Sequence, residues 1–481
     1  MSTTALVGTG HRPTIVLVGH GMVGQRFLEA LAERGLTATH RVVVLCEEPR
    51  PAYDRVQLTS YFSGTTPDEL SMTDAEFITE HGIDLRLGDP AETVDREART
   101  VTARSGLVIA YDTLVLATGS YPFVPPVPGK DAEGCFVYRT IEDLLAIEAY
   151  AKSRATTGAV VGGGLLGLEA AGALKGLGLT SHIVEFAPRL MPVQVDAGGG
   201  AALLRTIEDM GLTVHTGTGT QEIVTGDDGA VTGMKLSDGS ELATDLVVFS
   251  AGVRPRDQLA RDCGLPVGER GGIAVDAQCR TEDPHVFAIG ECALAADGRV
   301  YGLVAPGYEM AETAAATIAS ADSSFTGADL STKLKLLGVD VASFGDAHGA
   351  TAGCLDVVYA DSRSGTYKKL VIGRDGELLG GILVGDADAY GTLRALTGSV
   401  PPVSPEQLVL PAGGAAAWPS DPPRCPTPPS SAPATTSPRA RSAARSPSTP
   451  ARRSPRSRSA PRPVPGAGVA SRSSASSSTT S

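Results

Sequence analysis

The sequence predicts an α/β protein in which one nucleotide-binding unit is inserted into another, followed by a small α+β domain. Three observations support this fold class. A glycine-rich loop of the GxGxxG type follows each of two β-branched runs and opens an apolar helix. An acidic residue ends the next strand in both places. The strand ends that complete the first unit lie before and after the second loop in the sequence. Two such loops in full context predict two Rossmann-like domains.

The first unit begins with the apolar run Thr14–Val18, which is short enough for a buried parallel strand. In the loop that follows, Gly19 allows a tight turn, Gly21 lets the backbone approach a pyrophosphate, and Gly24 lets the helix pack close to the strand. The helix N-terminus favours the phosphates through its free N–H groups. Glu47 ends the next strand, where its carboxylate can accept both ribose hydroxyls of an adenosine.

The second loop repeats this design after Ala159–Val161. Its helix is expected over Leu165–Leu177, and the strand after the helix ends at Glu185. Because Glu185 would repel a 2′-phosphate, NADH is favoured over NADPH. Arg189 could offer a phosphate a partner, so NADPH stays open. The loop glycines are Gly162, Gly164 and Gly167.

Three further strand ends join the two units. The runs Leu114–Gly119 and Val248–Gly252 mark where the chain passes between them, and Thr281–Glu291 is an apolar strand that ends in Gly-acid. A carboxylate at this last strand end can bond the ribityl chain of a flavin. The order predicts a discontinuous first domain (13–120 with 281–326) around an inserted second domain (121–280). The candidate binding residues at these strand ends are Thr118, Gly119, Gly252, Gly290 and Glu291.

The chain resembles the two-dinucleotide-binding flavoprotein reductases. The resemblance rests on the two glycine loops, the ATG at 117–119 and the DPHVFAIGE at 283–291, in this order. Three longer stretches are closer still to the N-terminal half of the large subunit of assimilatory NAD(P)H nitrite reductases: EEPRPAYDRVQLTSYFSG at 47–64, APRLMPVQVD at 187–196 and TKLKLLGVDVASFGD at 332–346. The resemblance covers about residues 13–411.

The resemblance implies FAD on the first unit, NAD(P)H on the second, and a third domain (331–411) packed near the flavin. It places Arg50 near the adenosine and Arg55 along the FAD. Related reductases carry a Lys near flavin N5 at the position of Ser60, so their Lys–Glu pair is absent here. Glu169 is the expected other member, near the nicotinamide, or else an ordinary helix-surface carboxylate. Glu169 and Ser60 are therefore the catalytic candidates.

The function implied is hydride transfer from NADH to FAD, with electrons passed on to an iron–sulfur protein or to a nitrite reductase catalytic domain. A free-standing ferredoxin or rubredoxin reductase and an NADH oxidase are the alternatives. Full-length relatives continue into an iron–sulfur cluster and a sirohaem domain. Where the family would supply four clustered cysteines after Ala412, this sequence has only Cys425, so neither site is expected here.

Charge and cysteine usage set further bounds. The net charge is −13, and the tail from Ala412 carries ten Arg and one acid, Asp421, which leaves about −22 for the body. An acidic body argues against nucleic-acid binding. Seven cysteines without a CxxC or C-x4-C spacing predict neither a local redox disulfide nor a metal site. No signal peptide or membrane span is expected, which favours a cytoplasmic protein. A homodimer is compatible with the fold.

Two segments complete the prediction. The third domain should contain strands at Val339–Ala342 and Leu355–Tyr359, a hairpin around Asp375-Gly376, and a helix over Ala387–Thr397. Residues 412–481 are almost wholly Pro, Ala, Ser, Arg, Thr and Gly and are expected to be disordered. They read either as a natural basic linker or, as we favour, as a frame-shifted or misassembled stretch. His20, inside the first loop, is expected to bond a phosphate or to face solvent.

Overall fold

Two five-stranded parallel sheets organise the protein, which a computed structural model describes over residues 12–410, apart from the side chains of Lys335 and Leu336. The predicted disordered tail, 412–481, lies outside the described residues. The strands are β1 Thr14–Val18, β2 Arg41–Leu45, β3 Asp84–Arg86, β4 Ala91–Asp95, β5 Thr100–Ala103, β6 Val108–Ala110, β7 Thr113–Leu116, β8 Ser120–Pro122, β9 Cys135–Val137, β10 Thr157–Val161, β11 Thr180–Glu185, β12 Thr213–Thr216, β13 Thr220–Thr225, β14 Val231–Leu236, β15 Glu241–Ala243, β16 Leu246–Phe249, β17 Val253–Pro255, β18 Ile273–Ala274, β19 Val286–Ala288, β20 Ala293–Leu294, β21 Thr332–Leu336, β22 Val339–Gly345, β23 Leu355–Asp361, β24 Thr366–Ile372 and β25 Leu378–Val384.

The helices connect these strands and flank the sheets. They are α1 Met22–Glu33, α2 Leu36–Thr39, α3 Ala75–Glu80, α4 Ile141–Arg154, α5 Leu165–Gly176, α6 Ala197–Asp209, α7 Gln258–Asp262, α8 Val304–Ile318, α9 Tyr390–Ala395 and α10 Pro405–Val409, with 3-10 turns at Leu58–Ser63 and Gly290–Cys292.

The first sheet has the order β19-β7-β1-β2-β3, and each of these pairings is parallel. Strand β1 is buried along its whole length because helices cover both faces of such a sheet. The second sheet has the order β12-β11-β10-β16-β9, again all parallel. Strands β10, β11, β12 and β16 repeat the places of β1, β2, β3 and β7, as the paired loops predict.

Each sheet carries a three-stranded antiparallel layer, β4-β5-β6 in the first unit and β13-β14-β15 in the second. The chain crosses between units through the antiparallel pair β8 and β17, in which Tyr121 faces Arg254. The crossing follows directly after the strand ends of β7 and β16. Both phosphate loops therefore lie close to the crossing segments.

The return to the first unit begins earlier than predicted. Ala260, Leu265, Ile273 and Cys279, assigned from the sequence to the second domain, are buried in the hydrophobic core of the first unit. Strand β18 pairs in parallel with β20, which anchors this segment. The apolar residues between 256 and 280 are too sparse to show which core they join, so only tertiary packing settles the point.

The C-terminal domain is a five-stranded antiparallel sheet, β21-β22-β25-β24-β23. The predicted hairpin is present as β24 and β25. The helix expected over Ala387–Thr397 is shorter, at Tyr390–Ala395, because Asp386 accepts the amide of Asp388 and holds a turn before it. The sheet shares a hydrophobic cluster with the second unit, in which Ile382 packs beside Leu203 of α6.

Candidate functional site

The first glycine loop forms an open cradle. Gly19 has φ +102°, and a Cβ there would collide with the carbonyl of Ala117. A Cβ on Gly24 would come within 2.5 Å of the Gly19 carbonyl oxygen, so the helix can approach the strand only without a side chain. A Cβ on Gly21 would meet nothing within 4 Å. Gly21 thus faces empty space, as a backbone that receives a phosphate requires.

The second loop repeats these three environments. Gly162 has φ +116° and is packed against the Ser250 carbonyl, and a Cβ on Gly167 would collide with the Gly162 carbonyl. Gly164 again faces open space within 4 Å. The same division of roles in both loops indicates two pockets of the same kind.

Both helices that leave the loops have uncapped N-termini. Gly21 and Gly164 are the N-cap residues of α1 and α5, neither provides a side-chain cap, and neither helix has an acidic residue in its first turn. The first N–H groups of each helix therefore keep their hydrogen-bonding capacity for a ligand. An anionic pyrophosphate fits both sites by this chemistry.

The acidic strand ends are held differently in the two units. Glu47 forms an ion pair with Arg256, and both side chains remain about half exposed. Glu185 accepts the amides of Gly163 and Ala187, each at 2.6 Å. Because backbone amides fix its carboxylate beside the loop, Glu185 is the more rigidly placed of the two.

Arg189 turns away from the second cradle. Its Nε donates to the Val195 carbonyl at 2.9 Å, and its stem packs over Gly200. In this arrangement the guanidinium is occupied within its own loop. The predicted phosphate partner is therefore not presented toward Glu185.

The crossing residues meet at Arg256. Thr118 Oγ1 donates to the Arg256 carbonyl at 2.5 Å, and the Arg256 amide donates to the Gly119 carbonyl at 2.9 Å. Gly119 and Gly252, with φ of +68° and +103°, each face open space. Arg256 thus links the strand end of β7 to Glu47 at the end of β2.

Glu291 lies at the crossing side of the first unit. Its Oε2 accepts Ser120 Oγ at 2.5 Å and forms an ion pair with Arg139 at 2.6 Å. Gly290, with φ +76°, packs on the side chain of Val23 in α1. The predicted flavin-side carboxylate is therefore anchored by a residue that lies just before α4.

A second ion-paired group follows Glu47. Glu48 pairs with Arg55 and accepts Tyr53 Oη at 2.7 Å, and the Arg55 guanidinium lies 4.7 Å from the centre of the Tyr53 ring. Burial raises the pKa of Tyr53. Arg50 pairs instead with Glu142 of α4 at 2.7 Å. The two predicted arginines thus lie in separate ion pairs, and both reach the segment around α4, Arg50 through its pair with Glu142 and Arg55 through a 2.9 Å hydrogen bond to the Arg139 carbonyl.

Glu169 contacts Thr59, one residue before Ser60, which stands at the position of the relatives' Lys. Thr59 Oγ1 donates to Glu169 Oε2 at 3.1 Å, and Tyr138 Oη donates to Thr59 Oγ1 at 3.0 Å. Burial raises the pKa of Glu169, while the Thr59 hydrogen bond opposes the shift. The Ser60 hydroxyl is buried without a hydrogen-bond partner among residues 12–410. Glu169 is therefore not an ordinary surface carboxylate.

His20 fits neither predicted role. It is 5% exposed, its Nδ1 accepts the Ala52 amide at 3.3 Å, and its Nε2 lies 3.1 Å from Gln25 Oε1. Burial lowers its pKa to about 4. His20 is a neutral internal link between the loop and the segment that carries Tyr53.

Sequence reasoning missed Glu48, Thr59, Tyr138, Arg139 and Arg256. Their partners are mostly distant in sequence: 209 residues separate Arg256 from Glu47, and 152 separate Arg139 from Glu291. One signal was present for Arg256, which follows Gly252 closely at a predicted domain crossing. No comparable local pattern marks Thr59 or Tyr138.

The described part of the chain contains neither a cluster of metal ligands nor a membrane-spanning helix. Residues 12–410 hold no group of three or more His, Cys, Asp or Glu side chains placed to bind a metal ion. Within the same range, no helix combines the length and hydrophobicity of a membrane span.

Comparison with known proteins agrees with the geometry. The family model described as pyridine nucleotide-disulphide oxidoreductase matches residues 13–317, and that of the rubredoxin NAD+ reductase C-terminal domain matches residues 331–397. The nitrite reductase [NAD(P)H] large subunit of Klebsiella oxytoca is 57% identical over 404 residues, 83% of this chain and 42% of the relative. The nitrite reductase (NADH) large subunit of Escherichia coli K12 is 51% identical, over 84% of this chain and 48% of the relative.

Among solved structures, a ferredoxin reductase from Rhodopseudomonas palustris matches with a TM-score of 0.73 and 27% identity, over 82% of this chain and 97% of that one. The chain thus spans less than half the length of the two nitrite reductase subunits and nearly all of the ferredoxin reductase. The matched residues include both glycine loops and the C-terminal sheet. The chain therefore belongs to the pyridine nucleotide-disulphide oxidoreductase family and is an NAD(P)H-dependent flavoprotein oxidoreductase that binds FAD.

Proposed function

We propose that the protein is the NADH:FAD reductase module of a nitrite reductase, with FAD on the first cradle and NADH on the second. The observation that carries this proposal is the matched pair of open glycine cradles in one polypeptide, bridged between units by Thr59 and Glu169. When bound, the two cofactors supply hydride transfer from nicotinamide to flavin. The protein supplies position and electrostatic field.

In the first unit, Gly21 and the α1 N-terminus hold the FAD pyrophosphate, and Glu47 the adenosine ribose. Glu291, fixed by Arg139 and Ser120, is proposed to accept a ribityl hydroxyl. Arg50 and Arg55 are proposed to lie along FAD, where their ion pairs with Glu142 and Glu48 would hold them. Thr118, Gly119, Gly252 and Gly290 shape the backbone around the cofactor, and Ser60 is proposed to line the flavin side of the contact.

In the second unit, the open space over Gly164 and the uncapped α5 terminus fit the NADH pyrophosphate. The fixed carboxylate of Glu185 accepts the ribose hydroxyls and opposes a 2′-phosphate. The inward turn of Arg189 supports the same preference. We therefore propose NADH as the better donor.

This chain is assigned only the flavin half of nitrite reduction. We propose that the reducing equivalents leave the flavin for an electron acceptor, where nitrite is reduced. We also propose that the protein is cytoplasmic and forms a homodimer. Reduction of a rubredoxin or ferredoxin is the second candidate function, favoured by the C-terminal match at residues 331–397.

Steady-state turnover separates these functions. The purified full chain is assayed with NADH against ferricyanide, against nitrite, and against a rubredoxin or ferredoxin. Rapid ferricyanide reduction with no loss of nitrite is expected. Efficient turnover of the small iron–sulfur protein would favour the second candidate, and absence of ferricyanide reduction would contradict both.

A further inference from the structure

A chain of hydroxyl groups joins the two nucleotide-binding units. Thr59 lies in the 3-10 turn Leu58–Ser63 of the first unit. It accepts Tyr138 Oη at 3.0 Å and donates to Glu169 Oε2 at 3.1 Å. Tyr138 follows β9, and Glu169 lies on α5, so both neighbours come from the second unit. A single threonine of the first unit is thus held from two sides by the second.

The residues around Thr59 fix the direction of the hydrogen bonds in this chain of hydroxyl groups. Tyr138 is 4% exposed, and its ring stacks on Phe62 at a centroid distance of 6.4 Å. A buried phenol needs a hydrogen-bond acceptor, and Thr59 Oγ1 is the acceptor it has. The Thr59 hydrogen is then directed at Glu169. Each hydroxyl donates once, and the chain ends on the carboxylate.

No cation joins this group. Among the residues that the structure describes, no Lys, Arg or His forms an ion pair with Glu169. The titratable side chain that faces Glu169 is Tyr138. Tyr61, on the same 3-10 turn as Thr59, is turned to Glu148 of α4 at 2.6 Å. Within residues 12–410, the hydroxyl of Thr59 is therefore the interaction that favours the ionised carboxyl of Glu169.

We propose that Thr59, oriented by Tyr138, is a positioning residue that holds the Glu169 carboxylate at the second cradle, where its negative charge favours release of hydride. The inference rests on the proposed function. Hydride donation leaves a positive charge on the nicotinamide, and a nearby carboxylate stabilises that charge. A hydroxyl performs the holding without neutralising the carboxylate, which a lysine would do.

The test compares Thr59→Val, which keeps the size and removes the hydroxyl, with Thr59→Ser, which keeps the hydroxyl. Infrared difference spectra of the FAD-loaded protein, recorded without NADH, follow the protonated carboxyl band of Glu169 against pH. Glu169→Gln identifies the band. In Thr59→Val the midpoint should move about one unit to higher pH, because a hydrogen bond to the ionised form is lost. Thr59→Ser should keep the wild-type midpoint.

The rate of anaerobic flavin reduction by NADH gives the second readout. The wild-type rate should fall as pH drops through the Glu169 midpoint. In Thr59→Val this fall in rate should occur at higher pH, displaced by the same shift. In Glu169→Gln the rate should no longer fall with pH. Tyr138→Phe should shift both midpoints in the same direction by less, because Thr59 can still donate.

The outcomes distinguish the two levels of inference. A colourless wild-type protein that takes up no flavin contradicts the proposed function. A yellow Thr59→Val protein with an unshifted carboxyl band and an unshifted rate profile overturns the role of Thr59 alone. If Thr59→Ser shifts as much as Thr59→Val, the methyl group and not the hydroxyl positions Glu169, and the inference is again overturned.

Discussion

The amide of Gly163 donates a 2.6 Å hydrogen bond to the carboxylate of Glu185. The second phosphate loop is thus tied to the acidic strand end, and the carboxylate has one fixed position beside the cradle. A rigid negative charge discriminates against a dianionic 2′-phosphate more strongly than a mobile one, because it cannot move away.

Glu185→Gln keeps an oxygen that can accept the Gly163 amide and removes the charge. We expect the ratio of kcat/KM for NADH to that for NADPH to fall about tenfold, which corresponds to about 1.4 kcal/mol. Arg189→Ala is the matched control and should not lower the use of NADPH, because that guanidinium is bonded within its own loop. An unchanged ratio in Glu185→Gln would remove Glu185 from the account.

The open space beside Gly21 and Gly164 predicts that a substitution at each glycine weakens the binding of a different cofactor. In Gly21→Ala and Gly164→Ala the new methyl group meets no protein atom within 4 Å, so folding should be preserved. Gly21→Ala should lose FAD affinity, measured by flavin release on dilution. Gly164→Ala should keep FAD and raise the KM for NADH at least about tenfold.

Gly24→Ala serves as the contrasting variant, because its Cβ would come within 2.5 Å of the Gly19 carbonyl oxygen. It should lower the thermal stability of the apoprotein, which Gly21→Ala should not. Equal loss of apoprotein stability in both variants would show that the cradle at Gly21 is not open to a ligand.

His20 predicts a pH dependence of stability. Its pKa is lowered to about 4 in the fold, against about 6.5 in an unfolded chain. Between these values the unfolded chain binds the extra proton, so stability is complete above pH 6.5 and is lost as pH falls toward 4. The melting temperature should therefore drop between pH 7 and pH 5 more in the wild type than in His20→Gln. Equal drops would show that His20 does not contribute.

The ion pair between Lys369 and Asp196 leads to a prediction about what holds the C-terminal domain on the second unit. Lys369 is 4% exposed and lies 3.2 Å from Asp196, the N-cap of α6, and 3.3 Å from Asp356. Lys369→Met removes the cation from Asp196 and from the half-exposed Asp356 and should lower the local stability of α6 and β24 by about 1 kcal/mol. Hydrogen exchange of these two elements measures the change.

The control for that variant is Lys235→Met, which breaks the exposed pair with Glu222 and should leave exchange at α6 unchanged. If Lys369→Met also leaves hydrogen exchange at α6 unchanged, the ion pair between Lys369 and Asp196 does not hold the C-terminal domain on the second unit.

The elements that the sequence could predict are those with a local cause. Strand Thr14–Val18 has the predicted bounds because its apolar run is uniform. All six loop glycines have the environments that their spacing implies. Helix α8 begins at Val304 and has Pro306 in its first turn, where a proline is tolerated.

Side-chain pairings had no such local cause. The ion pairs of Arg256 with Glu47 and of Arg139 with Glu291 join segments that are 209 and 152 residues apart in the sequence. The sequence did not show that Thr59, next to Ser60 at the position of the relatives' Lys, contacts Glu169, because a 3-10 turn decides which of Thr59 and Ser60 faces α5. Local sequence does not determine that rotation.

The C-terminal domain shows the same limit. Its strands and hairpin follow from alternation and the Asp375-Gly376 turn. Its contact surface does not, and the structure places it against α6 through Tyr367, which donates to Asp196 at 2.9 Å. The predicted nearness of this domain to the flavin stays a prediction.

The central claim is that one polypeptide holds a flavin and a nicotinamide in reactive contact. It is tested most directly by anaerobic titration of the purified full chain with NADH while the flavin absorbance is recorded. We expect a yellow protein that carries one FAD per chain and is bleached fully by one equivalent of NADH. A protein with bound FAD whose absorbance does not change with excess NADH would contradict the account.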